Sequence, residues 1–441
     1  MLQRVFEGPN DGVNHGGHFN MVGEDEVGVE QHGRRRRTCS GRAGKGSHIM
    51  RLLVSADIHL GSPIRSVALR NPDLGDRLKQ ASRDSFAEIV DLAILEQVEA
   101  LVLAGDIFDN GYPDLKTRAF LITQLARAAE AGVPTVLIRG NHDALLDYRA
   151  QGDLGPDIHL LHKAAPTVEI DGIAFHGLSF DAAHVAKSFL PEYPRPVPGK
   201  RNVGLMHSSL DGAPGHDPYA PCAERDLMAH GFDLWCLGHI HAPFERRDGP
   251  VLAVMPGIPQ PRHFGERSGG TVTLVTLGEG VPEFERRAIG HLGFCDCALD
   301  LSACSDQQEV LRRLREALMS VQQPGRDRAV RLRVTSDRYD TTLVTELAQE
   351  ILEGIDGVFL DKVKSTPPPL NPGAVADDLV RLMQDELRED GFRQAALQQL
   401  EDLRLALPSD IMDALDEGEL DALLADAIAE VSLSLHAGGL K

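Results

Sequence analysis

A layered α/β fold, followed by a smaller α/β unit and a helical C-terminal segment, is predicted by three features. Short apolar runs alternate with amphipathic stretches from Met50 onward. Strand-strand runs then replace that alternation. An acidic, Leu-rich stretch closes the chain. At 441 residues the chain exceeds one comfortable hydrophobic core, so two or three domains are expected.

Residues 1–49 are dominated by Gly, Asn, His and Glu, followed by the run Arg34 to Arg37, and read as an unfolded or non-native extension. The alternative for the Arg run is a nucleic-acid tail. Met50 reads as the natural start. Leu52–Ala56 is then a buried strand, and Arg77–Val98 a helix with Phe86, Ile89, Val90, Ala93 and Ile94 on one side. Ala100–Ala104 is the next strand, with a helix near Leu115–Ala131 and a strand at Pro134–Arg139. Later strands are expected at Ile173–His176, Asn202–Met206, Leu234–Leu237, Val251–Met255 and Thr271–Leu277. The prolines between Pro191 and Pro198 predict an extended surface loop.

These elements define a first domain over 50–290. A small α/β accessory domain over 293–365 reads strand (Phe294–Leu301), helix (Gln307–Val321), strand (Ala329–Val334), helix (Thr342–Glu353), strand (Gly357–Lys364). Residues 366–372 form a stiff Pro-rich linker. Residues 373–436 carry three apolar stripes: Val375, Leu379, Leu382, Met383 and Leu387; Leu397, Leu400, Leu403 and Leu407; and Leu420, Leu423, Leu424, Ile428 and Val431. Helices this short build little core alone, so they fold back on the body or dock on a partner.

Apolar residues are 42% of the chain and charged residues 25%, an ordinary globular composition. No run of about 18 apolar residues is present, so no membrane span is expected. The cysteines form no CxxC pair and read as free thiols of a cytoplasmic protein. Cys295 and Cys297 alternate on a strand and read as packing residues. Net charge is −21, which argues against a large sequence-independent grip on nucleic acid. Residues 366–441 hold 16 acidic against 5 basic residues, a net of −11, so about half of that excess sits in the C-terminal piece.

The chemistry lies in five turns, each following an apolar strand, where α/β folds place their sites. The first carries Asp57-Ile58-His59, ligand types suited to a borderline divalent metal. The second is Gly105-Asp106-Ile107-Phe108-Asp109. Asp106 can present both oxygens to two cations, whereas Asp109 also reads as a helix N-cap. Gly140-Asn141-His142-Asp143 offers a neutral amide oxygen beside an imidazole. His207 ends the fourth strand, and Gly238-His239-Ile240-His241 places two imidazoles in one turn.

Together these turns resemble the calcineurin-like metallophosphoesterase superfamily over about residues 50–290. The resemblance implies a four-layer αββα sandwich and a dinuclear site. Asp57, His59 and His241 would hold one divalent metal, Asn141, His207 and His239 the other, and Asp106 would bridge them. His142 would face the scissile phosphate, and Asp109 would orient His142 through a hydrogen bond. Oxygen and nitrogen ligands without thiolate suit manganese, with iron or zinc as alternatives.

Ser55-Ala-Asp-Ile-His-Leu-Gly-Ser-Pro63 and Leu103-Ala-Gly-Asp-Ile-Phe-Asp109 are similar to the DNA-repair exonuclease branch, that of the SbcCD nuclease subunit. Pro256-Gly-Ile-Pro-Gln-Pro-Arg-His-Phe-Gly-Glu266 looks like its YhaO-type members. That resemblance implies a DNA exonuclease, 3′ to 5′, with some endonuclease activity. It also implies a homodimer and an SMC-like coiled-coil ATPase partner of the SbcC or YhaN kind, docked through the acidic C-terminal helices. Arg262 and His263 are candidate contacts to a substrate phosphate, the alternative being an internal loop clasp. Arg65 and Arg70 are weaker candidates for the DNA backbone. Two other functions stay open: a small-molecule phosphodiesterase or phosphatase of the same superfamily, and a scaffold subunit of an ATPase complex.

Overall fold

The computed structural model describes residues 49–365 and 375–387, apart from 65–66, 69–70, 110–111, 149–153, 184, 186, 211–219 and 337, together with scattered positions between 391 and 431. Residues 1–48, Arg65, Arg70, the Pro-rich linker, the whole second C-terminal stripe, and Leu420 and Leu423 of the third lie outside the described residues.

The chain runs β1 (Met50–Ser55), α1 (Pro72–Leu95), β2 (Ala100–Ala104), α2 (Leu115–Glu130), β3 (Thr135–Ile138), β4 (Ile158–Leu160), β5 (Thr167–Ile170), β6 (Ile173–Gly177), β7 (Arg201–His207), α3 (Glu224–Met228), β8 (Leu234–Gly238), β9 (Phe244–Asp248), β10 (Val251–Met255), β11 (Thr271–Leu277) and β12 (Glu283–Ala288). It continues through β13 (Leu292–Asp300), α4 (Gln307–Ser320), β14 (Asp327–Thr335), α5 (Thr341–Leu352), β15 (Val358–Ser365) and α6 (Val375–Glu386).

Two six-stranded sheets result, ordered β12-β11-β1-β2-β3-β4 and β5-β6-β7-β8-β10-β9. β1, β2 and β3 are mutually parallel, as are β6, β7 and β8. Strands buried on both faces read as continuous apolar runs because each face meets a different layer. Leu52, Val54, Val102 and Val136 pack inward against Phe175, Val203, Leu205 and Cys236 of the second sheet. Leu53, Leu101 and Leu103 point the other way, onto Phe86, Ile89 and Val90 of α1 and Leu121 and Leu125 of α2. Met206, Trp235 and Met255 cover the outer face of the second sheet with Leu227 and Met228 of α3. The result is the four-layer αββα arrangement.

α1 starts at Pro72, five residues before the expected Arg77. Asn71 caps it, its side chain accepting from Leu74 N at 3.0 Å, and Pro72 occupies the first turn, where a missing N–H costs nothing. The Pro191–Pro198 stretch is not wholly a surface loop. Leu190 and Tyr193 are buried, and Tyr193 Oη donates to the Leu205 carbonyl at 2.5 Å. Charged edge strands β9 and β12 appear where no strand was expected, because pairing with β10 and β11 sets them.

β13, β14 and β15 form a separate parallel sheet. α4 and α5 cover one face, where Cys295 and Cys297 pack against a core built around Leu314, Leu332 and Val344. The other face joins the first domain: Phe294 and Ala329 cluster with Leu74, Leu78 and Phe264, and the Arg331 guanidinium lies 3.8 Å over the Phe264 ring. In α6 Val380 is buried while Leu379 and Leu382 are exposed. Among the described residues no helix is long and apolar enough to cross a membrane.

Candidate metal centre

The five turns converge where the C-terminal ends of β1, β2 and β3 meet those of β7 and β8. The approach is close enough to exclude side chains. A Cβ on Gly238 would lie 2.2 Å from the Ala104 carbonyl, and one on Gly105 would lie 2.6 Å from His207 Nδ1. Asp57, His59, Asp106 and His239 all have positive φ, of 53, 49, 50 and 101°. Such strain in non-glycine residues persists only where the surroundings enforce it, and it clusters at functional sites. Here the turns are tied by Asp57 N and His59 N donating to the carbonyls of Gly105 and Asp106 at 3.1 and 3.0 Å.

Asp57, His59 and Asp106 are buried. Donor atoms of Asp57, His59 and His241 come within 4.8 Å of one another, and so do those of Asp57, Asp106 and His207. His59 Nε2 lies 3.2 Å from His241 Nε2. Asn141 Oδ1 lies 3.0 Å from His207 Nε2 and 3.3 Å from His239 Nδ1. Asp106 sits between the two groups, its Oδ2 3.2 Å from His207 Nε2 and 3.9 Å from His59 Nε2. This donor set suits a pair of divalent cations: carboxylate, amide and imidazole groups converge.

Two histidines, His207 and His241, are oriented by a hydrogen bond at their other ring nitrogen, as metal-ligating histidines generally are, and His59 has a carboxylate at ion-pair distance from its own. His207 Nδ1 donates to the Ala104 carbonyl at 2.9 Å, His59 Nδ1 lies 3.1 Å from Asp109 Oδ1, and His241 Nδ1 donates to Glu266 Oε1 at 2.7 Å. Burial, reinforced by the Arg262 charge, pushes the His59 pKa down to about 3, so its ring is neutral. Burial opposes ionisation of Asp109, but His59 and Arg262 outweigh it and hold its pKa at about 2. Burial likewise resists charging of His142, yet the Asp106 carboxylate and the Asp109 carbonyl raise its pKa above the ordinary histidine value.

His142 stands on the rim, with its side chain one third exposed and its ring edge-on to His59 at 4.7 Å. Its backbone N donates to Asp106 Oδ1 at 2.9 Å. The expected hydrogen bond from the Asp109 side chain is absent from this geometry: the carboxylate lies 4.0 Å from His142 Nδ1, and the Asp109 carbonyl accepts from that nitrogen instead, at 2.9 Å. The carboxylate is turned away because Arg262 and His59 hold it. Arg262 occupies an internal clasp, with Nη1 2.9 Å from Asp109 Oδ1 and Nη2 2.8 Å from Glu266 Oε1. His263 is half exposed and accepts from Gly265 N at 3.1 Å.

Asp143 was not singled out from its tetrapeptide. It is buried and accepts from Gly140 N at 2.7 Å, Ile107 N at 3.1 Å and Tyr148 Oη at 2.9 Å, so it binds the second and third turns together. Burial and the nearby Asp106 charge raise its pKa to about 6. The Gly-Asn-His-Asp spacing was its only sequence signal. Glu266 had none that named His241 as its partner.

Residues 50–243 match the calcineurin-like phosphoesterase family. The uncharacterised metallophosphoesterase YhaO of Bacillus subtilis is 28% identical over 284 residues, 63% of this chain and 70% of that protein. The DNA double-strand break repair protein Mre11 of Sulfurisphaera tokodaii is 27% identical over 53% of this chain and 62% of its own length. The Haloferax volcanii protein of the same name is 25% identical over 85% of this chain and 82% of its own. Among solved structures, a dimetal phosphatase from Danio rerio aligns with a TM-score of 0.31 and 16% identity, over 54% of this chain and 98% of that one.

Proposed function

We propose that this chain, whose residues 50–243 form a calcineurin-like phosphoesterase domain, is a metal-dependent DNA phosphodiesterase. It acts as a 3′-to-5′ exonuclease with some endonuclease activity in DNA repair or processing. The observation that carries the reading is the convergence of Asp57, His59, Asp106, Asn141, His207, His239 and His241 at one end of the two sheets, with His142 on the rim. Similarity to the Haloferax volcanii double-strand break repair protein over 85% of the chain favours DNA over a small diester.

In this reading Asp57, His59 and His241 would hold one cation, Asn141, His207 and His239 would hold the other, and Asp106 would serve both. When bound, two manganese ions would supply positive charge against the phosphoryl oxygens and lower the pKa of a water in the site. The chain's own residues do the rest. With Nδ1 tied to the Asp109 carbonyl, His142 keeps Nε2 for the phosphate. A protonated His142 would neutralise charge developing on the phosphoryl group or give a proton to the leaving oxygen. Buried Asp57 and Asp106 tie the ligand turns together, accepting from His239 N and His142 N at 2.9 Å each.

A chain of net charge −21 is poorly suited to gripping DNA by charge alone. An SMC-like coiled-coil ATPase docked on residues 373–436 would supply that grip. Deletion of residues 366–441 should abolish association with it, and retained association sinks the docking idea.

The test is an end-labelled linear duplex incubated with the full chain and manganese, with bis-p-nitrophenyl phosphate alongside and His142→Asn as the control. Release of nucleotides from 3′ ends that disappears in the variant supports the reading. Hydrolysis of the small diester beside intact DNA, with the ATPase present, would assign a small-molecule phosphodiesterase instead.

A further inference from the structure

The two groups of ligands are supported differently. His207 leans on a backbone carbonyl, that of Ala104, at 2.9 Å. His59 and His241 lean on carboxylates, and one guanidinium joins those carboxylates. Arg262 puts Nη1 on Asp109 Oδ1 and Nη2 on Glu266 Oε1, at 2.9 and 2.8 Å. The same two oxygens face His59 Nδ1 at 3.1 Å and His241 Nδ1 at 2.7 Å. Arg262 and Glu266 are largely buried, with side-chain exposures of 19% and 4%. The frame therefore runs His59–Asp109–Arg262–Glu266–His241 and closes where the two Nε2 atoms meet, 3.2 Å apart.

We propose that Arg262 is a positioning residue: it spaces Asp109 and Glu266 so that His59 and His241 present Nε2 to one cation, leaving the other cation position unsupported by this frame. The inference rests on the ligand assignment above. The Glu266 carboxylate, accepting from His241 Nδ1–H, fixes the tautomer whose Nε2 lone pair faces the metal, and Asp109 Oδ1 stands at ion-pair distance from His59 Nδ1. A planar fork holds two carboxylates at a set separation, which a flexible point charge does not. The role differs from the phosphate contact expected of Arg262 from sequence, because the two ends of its guanidinium are committed to protein carboxylates.

Arg262→Lys is the informative substitution. It keeps the positive charge and removes the fork, whereas an apolar replacement would also strip a cation from beside a dication site and strengthen metal binding by electrostatics. Manganese is titrated calorimetrically into the metal-free full chain, with electron paramagnetic resonance of the loaded protein. The wild type is expected to bind two ions and show a spin-coupled pair. Arg262→Lys is expected to bind one ion within about twofold of wild type and the other roughly 10–100-fold more weakly, with a mononuclear signal at limiting metal. Arg267→Lys, whose native partner is Asp296 at 2.7 Å, should leave both affinities unchanged.

If Arg262→Lys melts too low to titrate, Glu266→Gln carries the test with the same one-position loss expected. Equal weakening of both positions would mark a merely structural role and overturn the inference, as would two unchanged affinities. A wild-type chain that binds fewer than two ions would instead bring down the dinuclear assignment beneath it.

Discussion

His142 Nδ1 lies 2.9 Å from the carbonyl oxygen of Asp109 and 4.0 Å from its carboxylate, so the backbone of Asp109 holds the rim histidine while its side chain serves His59. The two roles of Asp109 are therefore separable. Asp109→Ala keeps the carbonyl and loses the carboxylate. It should lower manganese affinity roughly 10–100-fold while activity at saturating metal stays within about tenfold of wild type. His142→Gln should do the reverse, reducing turnover of bis-p-nitrophenyl phosphate by about 10²–10⁴ with metal affinity unchanged. Metal titration and steady-state kinetics on the two variants check the pair.

Asp143 should matter to stability more than its place in the sequence suggests. Asp143→Ala strands two backbone N–H groups and the Tyr148 hydroxyl in a buried setting. Each unmet donor costs about 1–3 kcal/mol, so a loss on the order of 3 kcal/mol or more is expected. Tyr148→Phe removes one bond and should cost about 1 kcal/mol. Urea denaturation of the metal-free proteins measures both.

Gly238→Ala should damage the site without replacing a ligand. The added methyl would sit 2.2 Å from the Ala104 carbonyl and 2.7 Å from His207 Nδ1, where backbone leaves no room to yield. About 1–3 kcal/mol of destabilisation and a marked loss of metal binding are expected. Gly278→Ala meets nothing within 4 Å and should stay within about 0.5 kcal/mol of wild type. Melting curves with and without manganese compare them.

A pH effect is expected away from the site. His176 is buried between Thr167 Oγ1 at 2.9 Å and Asn202 Oδ1 at 3.1 Å and stacks on Phe232 at 4.5 Å. Burial lowers its pKa below the ordinary 6.5, and the Asn202 hydrogen bond only partly offsets this. Below that value the unfolded chain takes up a proton that the folded chain resists. Stability from this group is thus complete above pH 6.5 and declines as pH falls beneath it. His176→Gln should flatten the decline by up to about 1.4 kcal/mol per pH unit. Urea midpoints at pH 7.5 and 5.0 for both proteins test it, and equal changes would refute it.

Much of the fold could be read in advance because so many strands are buried on both faces. Val251–Met255 and Thr271–Leu277 occupy the expected residues, and every cluster turn follows its expected strand. β9 and β12 could not be read: Phe-Glu-Arg-Arg-Asp and Glu-Phe-Glu-Arg-Arg-Ala have little apolar pattern, and it is partner strands that make them strands. The start of α1 was legible in Asn71-Pro72, a capping residue followed by a first-turn proline. Within the site, ligand types announced themselves by residue and spacing. The supporting contacts did not, since Arg262 and Asp109 lie 153 residues apart in sequence and meet only in the fold.

The most direct test of the dinuclear phosphoesterase assignment is hydrolysis of bis-p-nitrophenyl phosphate by the metal-free full chain as manganese is added back in measured equivalents, with Asp106→Asn in parallel. Activity should be absent without metal, rise to its limit as the second ion binds, and fail to appear in Asp106→Asn at any loading. Hydrolysis that survives chelation, or that Asp106→Asn retains in full, would contradict the assignment.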